Sequence, residues 1–110
     1  MKVSEWQAWA RAFDEARGWD EVAPEHTALH LMEELGEVAR ELLRRAAYKE
    51  GEERLAEEMA DFLLLFFKLA NQTGVDLEKA LLKKARELEE RFPLEASREA
   101  MDRYRKRHVD

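Results

Sequence analysis

The chain has 110 residues, 45% of them hydrophobic, with 25 acidic against 19 basic side chains and a net charge of −6. That length suits one ordinary domain with a buried core, and the acidic balance argues against nucleic-acid polymers as partners, the basic C-terminal end apart. Cysteine is absent, which excludes disulfides and thiolate metal sites, and no signal-peptide-like apolar stretch follows Met1-Lys2, so a cytoplasmic protein is expected.

The chain order predicts helices and no strands. Ser4-Glu5-Trp6-Gln7 reads as a capping box, after which Trp6, Trp9, Ala10 and Phe13 recur at helical spacing, a pattern that assigns the tryptophans to the core; Gly18 ends this helix. Pro24 opens a second helix of roughly 25 residues, with Leu31, Leu35, Val38 and Leu42 as its apolar stripe and Gly51 as its stop. A third runs from about Glu52 to Gln72 and stops at Gly74. It contains FLLLFF, Phe62 to Phe67, which is far shorter than the roughly 20 residues a bilayer needs and therefore gives no membrane span. Being apolar on all sides, that run demands cover on all sides. Asp76 caps a fourth helix built on Leu77, Leu81 and Leu88, which Pro93 ends, and the charged segment beyond forms a further helix or an arm. The expected fold class is all-α: a single domain over residues 1–110, with four main helices plus the C-terminal helix or arm. Homo-oligomerisation as a dimer or tetramer would cover the apolar surface that so short a chain leaves open.

Residues 30 to 41, HLMEELGEVARE, raise the first chemical question. At 100° per residue His30, Glu34, Glu37 and Glu41 fall within about 60° of one another, beside the apolar stripe of the second helix. Like charges at these spacings cost about 0.2 to 0.5 kcal/mol per pair, and no Lys or Arg interrupts the strip. The third helix repeats the pattern, with Glu58 and Asp61 at i, i+3 directly before the apolar run. If the two helices pack antiparallel, Glu34/Glu37 and Glu58/Asp61 face each other and offer an all-oxygen cage for a hard divalent cation, Mg2+ or else Mn2+. Glu52, Glu53 and Glu87 read as ordinary solvated side chains. A di-iron carboxylate bundle is disfavoured because the chain has no Glu-x-x-His motif, and His30 reads as a structural neighbour of the strip.

Lys84 and Arg91 project into the apolar stripe of the fourth helix, where they call for an anionic partner. Phosphate groups are the functional candidate, and pairing with Glu34 or Asp61 is the other. Trp19, before the second helix, is a candidate for stacking on a nucleobase, with core packing as the competing role. Arg103, Arg105, Lys106 and Arg107 read as a solvated arm.

Glu33-Glu34-Leu35-Gly36-Glu37, followed by Glu58-Met59-Ala60-Asp61, resembles the paired Glu-Glu-x-x-Glu and Glu-x-x-Asp motifs of MazG-like nucleoside triphosphate pyrophosphohydrolases. The resemblance runs from Arg17-Gly18-Trp19-Asp20 through Pro24 and both motifs to LANQTGVDLEKALLKKARELEERFP. It implies an all-α, oligomeric, Mg2+-dependent enzyme that hydrolyses a nucleoside triphosphate to the monophosphate and pyrophosphate. Carried over to these positions, it makes Glu34, Glu37, Glu58 and Asp61 metal ligands, with Glu33 orienting or deprotonating the attacking water and Glu37 shared between ligation and catalysis. Lys84 and Arg91 would hold the triphosphate, and Glu41 is the alternative base. Leu88 stands where many short members have Asn, and Val22-Ala23-Pro24 lacks the His that often precedes this proline in dCTP-preferring members, so the preferred base stays open. The alternative reading is a non-catalytic helical nucleotide- or protein-binding module with a vestigial acidic cluster.

Overall fold

A computed structural model describes residues 1–108, and every regular element among them is helical. In chain order these are α1 (Val3–Ala16), a 3-10 turn (Trp19–Glu21), α2 (Pro24–Arg45), α3 (Leu55–Thr73), α4 (Leu77–Arg91) and α5 (Leu94–His108). No described helix is long and apolar enough to cross a membrane. The chain divides into two compact units, Met1–Leu77 and Glu78–Asp110.

α1 begins earlier than a Ser4 cap would place it. Lys2 is the N-cap, and its backbone N–H donates to Glu5 Oε1 at 3.1 Å, so the box runs from Lys2 to Glu5 in place of the expected Ser4 to Gln7, and Ser4 lies inside the helix. α2 stops at Arg45 rather than running to Gly51. Ala47 adopts a left-handed backbone, φ 62°, and the Tyr48 N–H returns to the Leu43 carbonyl at 2.9 Å, which closes the helix end. The following loop is fastened back to α2. Arg44 Nε donates to the Glu50 carbonyl at 3.2 Å, and Arg45 Nε to Glu53 Oε1 at 2.8 Å. α3 accordingly starts at Leu55, later than a start at Glu52. It ends where the sequence places its stop, at Gly74, whose φ of 73° suits a residue without Cβ.

α3 packs against both α2 and α1. Its antiparallel register with α2 is set at two points. Beside the loop, Glu41 Oε2 accepts the Arg54 N–H at 2.8 Å; further along both helices, Glu34 meets Asp61. α1 also runs antiparallel to α3, with Asn71 Nδ2 donating to the Gln7 carbonyl at 3.0 Å and Gln7 Nε2 donating to the Val75 carbonyl at 2.7 Å. Gln7 Oε1 accepts the Leu77 N–H at 3.2 Å, so one buried amide ties α1 to the turn that enters α4.

Among the described residues the buried apolar side chains are few: Ala10, Leu31, Leu55, Phe67 and Ala70. Trp6 and Trp9, assigned to the core by their spacing, are instead 40% and 44% exposed. They line up along α1, Trp6 edge-on to Trp9 at 5.9 Å and Trp9 stacked on Phe13 at 5.0 Å. Leu35 and Leu42 of the expected stripe are exposed as well, because α2 is rotated so that Leu31, Val38 and the edge carrying Glu34 and Glu41 turn toward α3. The FLLLFF run is uncovered at Leu63 and Phe66, on the face of α3 away from Asp61.

In the second unit α4 and α5 lie on either side of Pro93, and Leu81, Leu82, Leu88 and Leu94 are exposed. The segment that the sequence left between helix and arm is helical to His108, with Tyr104 and His108 in ring contact at 4.3 Å.

Candidate functional site

The α2–α3 seam gathers carboxylates. Glu34 from α2 and Glu58 and Asp61 from α3 each place one oxygen within 4.8 Å of the others, with Glu34 and Glu58 half-buried and Asp61 exposed. Desolvation, and then the charges of Asp61, Glu34, Glu37 and Glu41, hold the Glu58 carboxyl above its ordinary range. Every one of those acting charges is negative. The three converging atoms are all carboxylate oxygens, and such a set at this spacing fits a hard divalent cation of the Mg2+ or Mn2+ type.

The other residues of the acidic edge have different surroundings. Glu37 is close enough for its charge to act on Glu58, while its carboxylate lies 3.5 Å from Arg40 Nη1 and is not one of the three converging oxygens. Glu33 is exposed on α2. His30 Nε2 lies 3.3 Å from Glu34 Oε1. Glu41 is 2% exposed and has both oxygens engaged, Oε1 with Arg44 and Oε2 with the Arg54 N–H. That engagement removes it as an alternative base. It also supplies the cation that the strip lacked, since Arg44 lies one turn beyond Glu41 on the same edge.

A cavity of about 490 Å³ opens beside the carboxylates, in the groove between α1 and α2 and floored by α3. Glu34 and Asp61 stand at one end, Trp9, Phe13 and Trp19 form an aromatic wall, Leu64 and Leu65 line the floor, and Asp14 and Lys68 also border the space. Trp19 is 53% exposed and meets Phe13 edge-on at 5.8 Å, so it belongs to the rim of the cavity and not to the core. Its turn is held from α3, where Gln72 Nε2 donates to the Val22 carbonyl at 2.8 Å. Arg17 caps the same wall, its guanidinium 3.6 Å from the Phe13 ring centroid. Lys84 and Arg91 lie in the second unit, where Lys84 Nζ pairs with Glu87 at 3.6 Å and the Arg91 guanidinium sits 5.8 Å from the Phe92 ring.

Sequence reasoning passed over Asp14 and Lys68 as lining residues and gave Trp9 to the core. A signal was present. Lys68 continues the strip of Asp61, Leu64 and Leu65 at helical spacing, and Asp14 follows Ala10 by one turn.

Residues 22–95 match a known family described as the MazG nucleotide pyrophosphohydrolase domain. The chain is also 31% identical over 103 residues to the uncharacterised protein YvdC of Bacillus subtilis (strain 168), a match covering 84% of this chain and 97% of that one. No solved structure matches.

Proposed function

The chain belongs to the MazG nucleotide pyrophosphohydrolase family, and on that premise we propose that it is a Mg2+-dependent nucleoside triphosphate pyrophosphohydrolase. It would hydrolyse a ribo- or deoxyribonucleoside triphosphate to the monophosphate and pyrophosphate, in sanitising the nucleotide pool. The observation that carries this reading is the convergence of Glu34, Glu58 and Asp61 at the mouth of an aromatic-walled cavity. Such a cavity has the volume and lining of a small-molecule site.

In this reading Glu34, Glu58 and Asp61 hold the ion, joined by Glu37 once its side chain leaves Arg40. A bound divalent ion lowers the pKa of water and offsets charge on the phosphates. Glu33, exposed next to Glu34, orients or deprotonates the attacking water. Trp19 stacks on the base. Lys84 and Arg91 are assigned to the triphosphate on the family motif alone. The whole chain, 1–110, acts as one cytoplasmic domain without membrane or nucleic-acid partners.

The protein is further read as a homo-oligomer, dimer or tetramer. α2 exposes Met32, Leu35 and Leu42, and α3 exposes Met59, Leu63 and Phe66, on the sides of these helices away from the acidic edge. Exposed apolar surface of this kind is what a second copy buries. Sedimentation analysis at micromolar concentration should give a dimer or tetramer mass, and a monomer would overturn this assignment.

The activity is tested by incubating the protein with Mg2+ and a panel of nucleoside triphosphates while separating pyrophosphate from orthophosphate release. Monophosphate and pyrophosphate are the expected first products. Orthophosphate as first product would overturn the bond assignment, and absence of turnover with every nucleotide would leave the binding-module reading in its place.

A further inference from the structure

Resting on the reading of the cavity as a nucleotide site, we propose that Asp14 and Lys68 read the base. The preferred substrates then carry an exocyclic amine, as cytosine, adenine and guanine do, in place of the carbonyl-only substituents of uracil and thymine. Neither residue belongs to the acidic cluster or to the paired family motifs, and Asp14 lies outside the 22–95 match.

Asp61 and Lys68 share one strip of α3, with Leu64 and Leu65 between them, and all four line the cavity. Their separation is about two turns, roughly 10 Å at 1.5 Å per residue, which is comparable to the span from the α-phosphate of an extended nucleotide to the far edge of its base. A nucleotide whose phosphates lie at Asp61 would therefore lay its base over Leu64 and Leu65, beside Trp9, Phe13 and Trp19. The edge of that base would reach Lys68. Asp14 lines the same cavity from α1 and lies within range of the Lys68 charge.

Chemistry then selects the base. An ammonium only donates and an ionised carboxylate only accepts, so the pair complements an edge that presents an amine next to a ring-nitrogen or keto acceptor. In uracil and thymine the single ring N–H is flanked by two carbonyls, whose oxygens would crowd the carboxylate with like partial charge. Burial raises the Asp14 pKa, with Asp20 adding to it against the lowering charges of Lys68 and Arg17, and a hydrogen bond from a bound amine would offset that desolvation.

Binding of dCMP, dAMP, dGMP, dUMP and dTMP to the full chain in the presence of Mg2+ can be followed through the fluorescence of the cavity tryptophans. The three amine-bearing nucleotides should bind at least about tenfold more tightly than dUMP and dTMP, the scale of a hydrogen bond to a charged group. Asp14→Ala and Lys68→Met should each largely abolish that ratio while circular dichroism stays that of the folded chain. Equal binding of both sets, absence of binding, or a ratio that survives in the folded variants overturns the proposal; if one variant fails to fold, the other decides. The outcome is separable from hydrolysis. Discriminating binding without turnover of any triphosphate would sink the hydrolase reading alone, whereas turnover indifferent to Asp14 and Lys68 would sink the base reading alone.

Discussion

Glu34 and Glu41 lie about two turns apart on α2 and both turn toward α3, but Glu41 meets an arginine and a backbone N–H, whereas Glu34 meets His30 and two carboxylates. Glu41, at the loop end of the seam, is 2% exposed, with Arg44 on one oxygen and the Arg54 N–H on the other. Glu34, at mid-seam, stands within 4.8 Å of carboxylate oxygens from Glu58 and Asp61. Charge at the loop end fastens α2 to the start of α3. Charge at mid-seam is concentrated against its own repulsion at the edge of a cavity, an arrangement that lowers the stability of the metal-free fold and favours a cation. The same residue type on the same helix edge is thus structural in one place and a candidate ligand in the other.

The largest effect that could break this comparison lies at mid-seam. Asp61→Asn keeps the shape of the side chain and removes its charge, and turnover should fall by about a hundredfold to a thousandfold, the usual scale for loss of one charge-stabilising group. Helical content should be unchanged. Turnover within a few-fold of the parent would erase the functional half of the contrast.

At the loop end the readout is stability. Glu41→Ala leaves Arg44 and the Arg54 N–H without their partner and should lower the free energy of unfolding in urea by about 2–3 kcal/mol, toward the lower end for a broken ion pair because Arg44 is partly exposed and can rehydrate. A loss too small to measure would show that the loop is held by the Arg45–Glu53 pair instead.

The pH dependence of the metal-free protein sharpens the same contrast. The folded pKa of Glu58 lies above its ordinary 4.5, chiefly from desolvation and then from the charges of Asp61, Glu34, Glu37 and Glu41. The folded state therefore takes up that proton before the unfolded chain does. In EDTA the contribution of this group should stabilise the fold as pH falls through the folded pKa, with the gain complete below 4.5 and lost again as pH rises. Asp14, raised first by burial, adds in the same direction. Millimolar Mg2+ should flatten the slope and raise the melting temperature at neutral pH by mass action. Thermal melts of the parent and Glu58→Gln decide it, since an identical slope in both would remove Glu58 as the source.

The smallest expected effect returns to the loop. Ala47 holds a left-handed backbone, φ 62°, that an L side chain adopts at a cost. Ala47→Gly should raise unfolding stability by about 0.5–1 kcal/mol, less than the relieved strain because glycine loses more chain entropy on folding. A destabilised variant would show that the turn depends on the Ala47 methyl group.

Local pattern anticipated much of this unit. Pro24 at the start of α2, through its fixed φ, and Gly74 at the end of α3, through its freedom to take a positive φ, act by themselves and need no partner. The end of α2 was not anticipated, because an alanine in a left-handed conformation carries no sequence signal and Gly51 did. The aromatic residues of α1 were misplaced for a related reason. Spacing puts Trp6, Trp9 and Phe13 near one another on one side of the helix, and that is equally true of a core stripe and of a cavity wall. Gln7 carried even less signal, since its tie to Val75 and Leu77 spans most of the unit.

What the sequence by itself determined is the helical class, the i, i+3 pairing of Glu58 with Asp61, and the acidic edge of α2, because helical periodicity fixes which side chains share a face. Only the tertiary structure decided what each face meets: that α2 turns its acidic edge as well as Leu31 toward α3, that Glu41 is neutralised while Glu34 joins the carboxylates of α3, and that Trp9 and Trp19 border a cavity. The physical reason is one of range. Periodicity acts over a few residues along one helix, whereas neutralising or gathering a charge depends on residues that packing brings in from another.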